Sequence, residues 1–94
     1  SIQGGVSCGP DNAGVAEFLA ASRLAGERAL ADRLARAVDE GDLAATSDPT
    51  ALARFVMTFS EGQAVHAAAG AQRDQLRQSA DIALTALDHA TGCR

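Results

Sequence analysis

The sequence predicts an all-α domain of three main helices, the last two of which form a four-helix bundle with a second copy of the chain. Apolar residues recur at three- and four-residue steps in three segments, which is typical of amphipathic helices. Each segment is followed by a glycine suited to closing a helix, at Gly41, Gly70 and Gly92. Strand patterns are missing from the sequence, and 94 residues make one domain with a marginal core.

The first helix is predicted over about residues 13–40, after a break at Gly9-Pro10-Asp11-Asn12 that offers Asp11 or Asn12 as a cap. One face is expected to be buried, and Gly26 is a plausible site of curvature. The buried face would contain Val15, Phe18, Leu19, Ser22, Gly26, Ala29, Leu30, Leu34 and Ala37. The charged residues opposite it, Glu27 among them, are interpreted as a solvated surface. Residues 1–8 begin without a cap, so we expect the chain to be a fragment of a longer protein.

The second helix has the clearest ends. Asp48 can accept the free N–H groups of the first turn, Pro49 suits the first helical position, and Gly70 can end the helix. One apolar arc contains Leu52, Phe55, Val56, Phe59, Gln63 and His66, and a small-residue arc beside it contains Thr58, Gly62, Val65 and Ala69. Small residues at this spacing let another helix approach closely.

The third helix, over about residues 72–90, also has an apolar arc wider than one neighbour requires, extended by Ile82 and Ala86. The excess on both helices predicts a dimer in which each copy contributes this helix pair. The predicted interface residues are Gly62, Val65, His66, Ala69, Leu76, Ala80, Ala83 and Leu87. The alternative is that other parts of a longer chain cover the same surface. The sequence does not separate the two explanations, and the shortage of core in one copy favours the dimer.

Charge and hydropathy argue against several partners. The chain has 8 basic and 12 acidic residues, a net charge of −4 and no basic cluster, so it lacks the electrostatic footprint for binding DNA. Apolar stretches fall short of the roughly 20 residues that cross a bilayer, and no secretory signal pattern begins the chain. These features predict a soluble cytoplasmic domain without membrane contact.

Few residues are candidates for chemistry. Cys8 and Cys93 have no second ligand at metal-binding spacing and are interpreted as ordinary thiols, although a disulfide joining the ends stays open. His66 would either contact an effector or, as we prefer, lie at the dimer seam, and His89 is expected to be solvated. The sequence has no catalytic triad pattern and no phosphate-binding loop. We therefore predict no enzyme activity, no metal and no cofactor.

Five segments in order resemble the C-terminal domain of TetR-family transcriptional regulators. They are Val6–Val15, Leu34–Leu43, Asp48-Pro49 followed by Leu52-Ala53-Arg54-Phe55, Gly62-Gln63-Ala64-Val65, and Ala69-Gly70-Ala71 followed by Leu76. Their order and spacing carry the resemblance, which covers nearly the whole chain. Many relatives have a better capping residue where this chain has Gln72.

The resemblance implies that residues 1–94 are the regulatory domain of a protein whose N-terminal helix-turn-helix, outside this sequence, binds operator DNA. It also implies a small-molecule effector, of unknown identity, in a pocket beside the helix that carries Phe55, Phe59 and Gln63. The family's dimer interface uses the last two helices, in agreement with the interface predicted above. The alternative is a purely structural homodimerisation module, which would have a tightly filled core and no sizeable pocket.

Overall fold

The computed structural model describes residues 9–92, which form three helices: α1 (Gly9–Asp39), α2 (Pro49–Ala68) and α3 (Arg73–Thr91). No strand occurs within this range, so the prediction of an all-α chain with three main helices is confirmed. The central helix is α2, because α1 packs on one side of it and α3 on another. The bundle with a second copy stays a prediction. The expectations for residues 1–8, Cys8 and Cys93 lie outside the described residues.

Local sequence explains where the helices end. Asp48 has an extended backbone, and its Oδ1 accepts a 3.2 Å hydrogen bond from the N–H of Ala51, so it caps α2 as predicted. The glycines that follow the three helices, Gly41, Gly70 and Gly92, have φ values of 84°, 104° and 74°. These left-handed conformations are the ones that favour glycine at a helix end.

The start of α1 differs from the prediction. The helix already runs from Gly9, so the predicted break over residues 9–12 is wrong. Pro10 falls in the first turn, where a backbone N–H has no helical partner and a proline is tolerated.

The start of α3 is supported by a local hydrogen bond. Gln75 Oε1 accepts a 2.9 Å hydrogen bond from the backbone N–H of Gln72.

The buried face predicted for the N-terminal half of α1 is also wrong. Val15, Phe18 and Leu19 remain 39%, 69% and 50% exposed. The side of α1 next to the predicted face meets α2. The two helices are antiparallel, because Arg54 Nε lies 2.8 Å from Glu27 Oε2 and, one turn earlier on α1, Arg23 Nε lies 3.7 Å from Glu61 Oε2. The side chain of Glu27 is only 17% exposed, so this residue belongs to the helix contact and not to the solvated surface.

α2 and α3 are joined by residues 69–72 and are antiparallel, because Gln63 bonds Leu76 near this connection and Leu52 shares a cleft with Leu87 at the opposite ends. The side-chain amide of Gln63 donates a 3.1 Å hydrogen bond to the carbonyl of Leu76, which fixes the start of α3 against α2. Among the described residues, the apolar side chains that are at most 9% exposed belong to Leu52, Ala53 and Ala83. Such a small core leaves a single copy of the chain marginally stable.

Candidate functional site

One candidate surface is an apolar face shared by α2 and α3. Its largest exposed side chains are Val65 at 67% and Ile82 at 72% exposure, and Phe55 is 38% exposed. We define the α2–α3 face by the residues that share it: Ala51, Phe55, Gly62, Val65, Ser79, Ile82 and Ala86. None of these side chains ionises, so a second apolar surface could cover them without burying an unpaired charge.

A cleft lies within this face, between the two helices. It has a volume of about 300 Å³, and we call it the Phe55 cleft. Its walls are formed by Phe55, Phe59, Ser79, Ile82, Ala83 and Ala86. The rings of Phe55 and Phe59 are stacked with centroids 6.2 Å apart and planes inclined by 18°, so together they form an aromatic wall.

A second cleft continues from the first toward the start of α2. Its volume is about 340 Å³, and Phe55 and Ala86 border both clefts. The second cleft is lined by Thr46, Asp48, Ala51, Leu52, Phe55, Ala86, Leu87 and Ala90. The carboxylate of Asp48 already accepts a hydrogen bond from the first turn of α2. The ionisable side chain at this cleft is therefore engaged in capping the helix.

The predicted ligand residues separate into two groups. Phe55 and Phe59 lie side by side in the wall of the Phe55 cleft. Gln63 is half-buried, and its amide nitrogen bonds the carbonyl of Leu76 within the same chain. The structure thus brings the two aromatic residues together and gives Gln63 a role in holding α2 to α3.

The predicted interface residues on α2 remain accessible. Val65, His66 and Ala69 are exposed, and Gly62 is half-buried with open space around it. A Cβ built at Gly62 would meet nothing within 4 Å, apart from its own helix backbone and chain neighbours. Another helix therefore has room to approach α2 at this glycine.

The predicted interface residues on α3 are less accessible. Ala83 is only 7% exposed, and the others, Leu76, Ala80 and Leu87, are half-buried. This stripe is the side of α3 that contacts α2 within one chain. The more exposed apolar surface is the neighbouring stripe of Ser79, Ile82 and Ala86, spaced i, i+3 and i+7. The sequence shows this second stripe, but it does not show which of the two stripes packs against α2 within one chain.

Charged residues lie at the contact between α1 and α2. Arg54 pairs with Glu27 at 2.8 Å, and Arg23 Nε lies 3.7 Å from Glu61 Oε2. These pairs line a groove that also contains Met57. Ionisable side chains also lie at the edge of the α2–α3 face on α3, because Ile82 and Ala86 border a cleft of about 650 Å³ together with Asp81 and His89.

The described part of the chain was also searched for a metal site and for a membrane-spanning helix. Among the described side chains, those of residues 13–92, no cluster of three or more His, Cys, Asp or Glu residues could hold a metal ion. None of the helices in that range has the length and apolar character needed to cross a membrane. His66 and His89 are both exposed.

Comparisons with known proteins identify no relative of this chain. No protein-family model matches the chain, and neither a curated protein nor a solved structure shows significant similarity to it. The resemblance to TetR-family domains therefore rests on the sequence segments alone.

Proposed function

We propose that this chain is the C-terminal sensing and dimerisation domain of a TetR-like transcriptional regulator. In this proposal a small-molecule effector binds the helical domain and controls operator binding by an N-terminal domain outside this sequence. The observation that supports it most is the α2–α3 face, where two adjacent helices expose the apolar side chains of Phe55, Val65 and Ile82. In the family that the sequence resembles, the last two helices form the dimer interface.

The dimensions of the α2–α3 face suit a homodimer. A helix of about 20 residues is about 30 Å long, and two packed helices are about 20 Å wide. Their common face therefore covers about 600 Å² in projection, close to the roughly 800 Å² of accessible surface that each partner buries in a standard interface. A second copy would also supply the apolar contacts that the small core of one copy lacks.

The Phe55 cleft supports the sensing part of the proposal. Its volume of about 300 Å³ is at the lower end of the range for small-molecule sites. An effector would act by linkage: it must bind one arrangement of the helical domain better than another, and this preference must change the spacing of the two DNA-binding domains. The aromatic wall of Phe55 and Phe59 would provide the contacts that such a preference requires.

A purely structural homodimerisation module is the second candidate. The observation that favours it is the engagement of Gln63, whose amide is used in holding α3 and is not free to orient a ligand. This module would dimerise through the same α2–α3 face but would bind no small molecule. Ligand binding therefore separates the two candidates, while dimerisation tests what they share.

Two matched variants of α3 test the proposed dimer. Ile82 and Leu84 are both exposed apolar residues, at 72% and 57%, but they lie two positions apart and so point to different sides of the helix. We expect Ile82→Glu to place an unpaired charge in each half of the interface and to raise the dimer dissociation constant at least 100-fold. Leu84→Glu is the control and should leave the constant within about threefold of the unmodified chain.

Sedimentation equilibrium over a dilution series measures both constants. Circular dichroism of each variant at the same concentration checks that its helices remain. Equal effects of the two substitutions, or a dimer that survives Ile82→Glu, would contradict the assigned face.

A further inference from the structure

We propose that the acidic edge of α3 lies along Arg23 and Arg54 of a second copy, so that α3 of each copy packs against α2 of the other. This inference rests on the proposed function, because it takes the α2–α3 face as the dimer interface. It adds the orientation of the two faces and the charged residues that determine it.

The acidic edge consists of three aspartates on α3. Asp74, Asp81 and Asp88 are spaced seven residues apart, so they follow one line along the helix. All three are exposed, and none forms an ion pair with another described residue, including Arg77, which lies four residues before Asp81. The three carboxylates are therefore available to a partner.

This edge borders the α2–α3 face on the side away from α2. Successive residues of a helix are turned by about 100°, so the residues before and after Ile82 lie on opposite sides of it. Ala83, after Ile82, is buried against α2, which places Asp81 on the outer side. Asp81 also shares a cleft with Ile82, so it is close to the face.

Arg54 has the corresponding position on α2. It precedes Phe55 and is turned toward α1, where its Nε lies 2.8 Å from Glu27 Oε2. On the same side, Arg23 Nε lies 3.7 Å from Glu61 Oε2. The side chains of Arg54 and Arg23 are 68% and 59% exposed, and a guanidinium has five N–H donors, so each can bind a second carboxylate.

Asp81 and Arg54 lie at about the same height along the helix pair, because their neighbours in sequence, Ile82 and Phe55, line the same cleft. A twofold axis parallel to the helices preserves the height of every residue and brings α3 of one copy against α2 of the other. The acidic edge of one copy then runs along the second copy's Arg54. The carboxylate and the guanidinium are opposite in charge, which favours this contact.

The second way to join the two faces has the twofold axis across the helices. It packs α3 against α3, so that two acidic edges with three carboxylates each lie side by side. Like charges placed together across an interface lower the affinity. The arrangement with α3 against α2 avoids this repulsion.

Asp81→Asn distinguishes the two arrangements by the sign of its effect. With α3 against α2, the dimer dissociation constant should rise about four- to ninefold, because the dimer loses two ion pairs that contribute about two- to threefold each. With α3 against α3, the constant should fall. Sedimentation equilibrium at low ionic strength measures the constant, because salt screens exposed charges.

Asp32→Asn is the matched control. It removes the same charge at an exposed position of α1 that lines no described cleft, and it should change the dimer constant less than about twofold. The comparison separates the position of the charge from the net charge of the chain.

Disulfide cross-linking tests the orientation independently of charge. Ile82 borders the cleft together with Phe55 and Phe59, so it lies at the height of Thr58, which is between them in sequence. Two chains, Thr58→Cys and Ile82→Cys, are prepared with both native cysteines changed to serine and are mixed under oxidising conditions. A disulfide between the two variants is expected, whereas Ile82→Cys alone should form none, and mass spectrometry identifies the linked pair.

Two sets of results would overturn the inference while leaving the proposed interface intact. One is a fall or no change in the dimer constant of Asp81→Asn. The other is a disulfide in Ile82→Cys alone, or none in the mixture. An unmodified chain that is monomeric at all concentrations would instead overturn the proposed function, and this inference would fail with it.

Discussion

Gly62→Leu should strengthen the helix and weaken the dimer. A leucine side chain fits within one copy, because a Cβ at this position meets nothing within 4 Å outside its own helix backbone and chain neighbours. Replacing a glycine inside a helix by leucine stabilises a single copy by about 0.5–1 kcal/mol, which corresponds to about 2–8 °C in the melting temperature of a domain this small.

The interface should respond in the opposite direction. A leucine at Gly62 fills the space through which the second copy is proposed to approach, and overpacking costs about 1–3 kcal/mol at each site. A symmetric dimer contains the site twice, so the dissociation constant should rise by a factor of about 30 to about 10⁴.

Two assays separate these effects. Sedimentation equilibrium gives the dimer constant. Thermal melting of Gly62→Leu combined with Val65→Glu gives the stability of a single copy, because a charge at the exposed Val65 position of the α2–α3 face is expected to keep the chain monomeric. Gly14→Leu is the matched control, because Gly14 is an exposed helical glycine of α1 that also has nothing within 4 Å. An unchanged dimer constant for Gly62→Leu, or an equal loss for Gly14→Leu, would refute the proposed close approach at Gly62.

Two further substitutions test the fold of a single copy. Leu52→Ala should lower the free energy of unfolding by about 2–3 kcal/mol, because Leu52 is only 9% exposed. Leu84→Ala is the control and should lower it by less than about 0.5 kcal/mol, because Leu84 is 57% exposed. Equal losses in urea unfolding would contradict the assigned core. Asp48→Ala should cost about 1 kcal/mol, because it removes the 3.2 Å bond from the N–H of Ala51. Asp42→Ala, in the exposed loop before α2, is the control, and equal melting temperatures for the two variants would show that the cap contributes nothing.

The sequence predicts the ends of the helices better than their contacts. Asp48, Pro49 and the three closing glycines act within a few residues of themselves, so their effect on the backbone follows from local chemistry. The start of α1 was predicted less well, because Pro10 is compatible both with a break and with the first turn of a helix.

The contacts between helices depend on which side of each helix packs against its neighbour. On α1 the stripe of Val15, Phe18 and Leu19 looks like a core face in sequence, yet the contact with α2 uses a side that includes Glu27. The ion pair with Arg54 lets the charged side chain of Glu27 lie at the helix contact. The spacing of apolar residues in the sequence cannot predict such a pair between two helices.

The candidate site was predicted in part for the same reason. Phe55 and Phe59 could be placed on one helix face by their four-residue spacing, and they lie together in the cleft. The opposite wall depends on the rotation of α3 about its axis. Because the stripe containing Ala83 contacts α2, Ile82 and Ala86 are left at the surface.

The central claim is that two copies of this chain associate through the α2–α3 face. Sedimentation equilibrium of the unmodified chain, diluted from about 100 μM to about 0.1 μM, tests it most directly. The account predicts a species of twice the 9.6 kDa chain mass that dissociates reversibly on dilution and is lost in Ile82→Glu. A 9.6 kDa species at every concentration would contradict the account, because the α2–α3 face would then remain open to water in the folded chain.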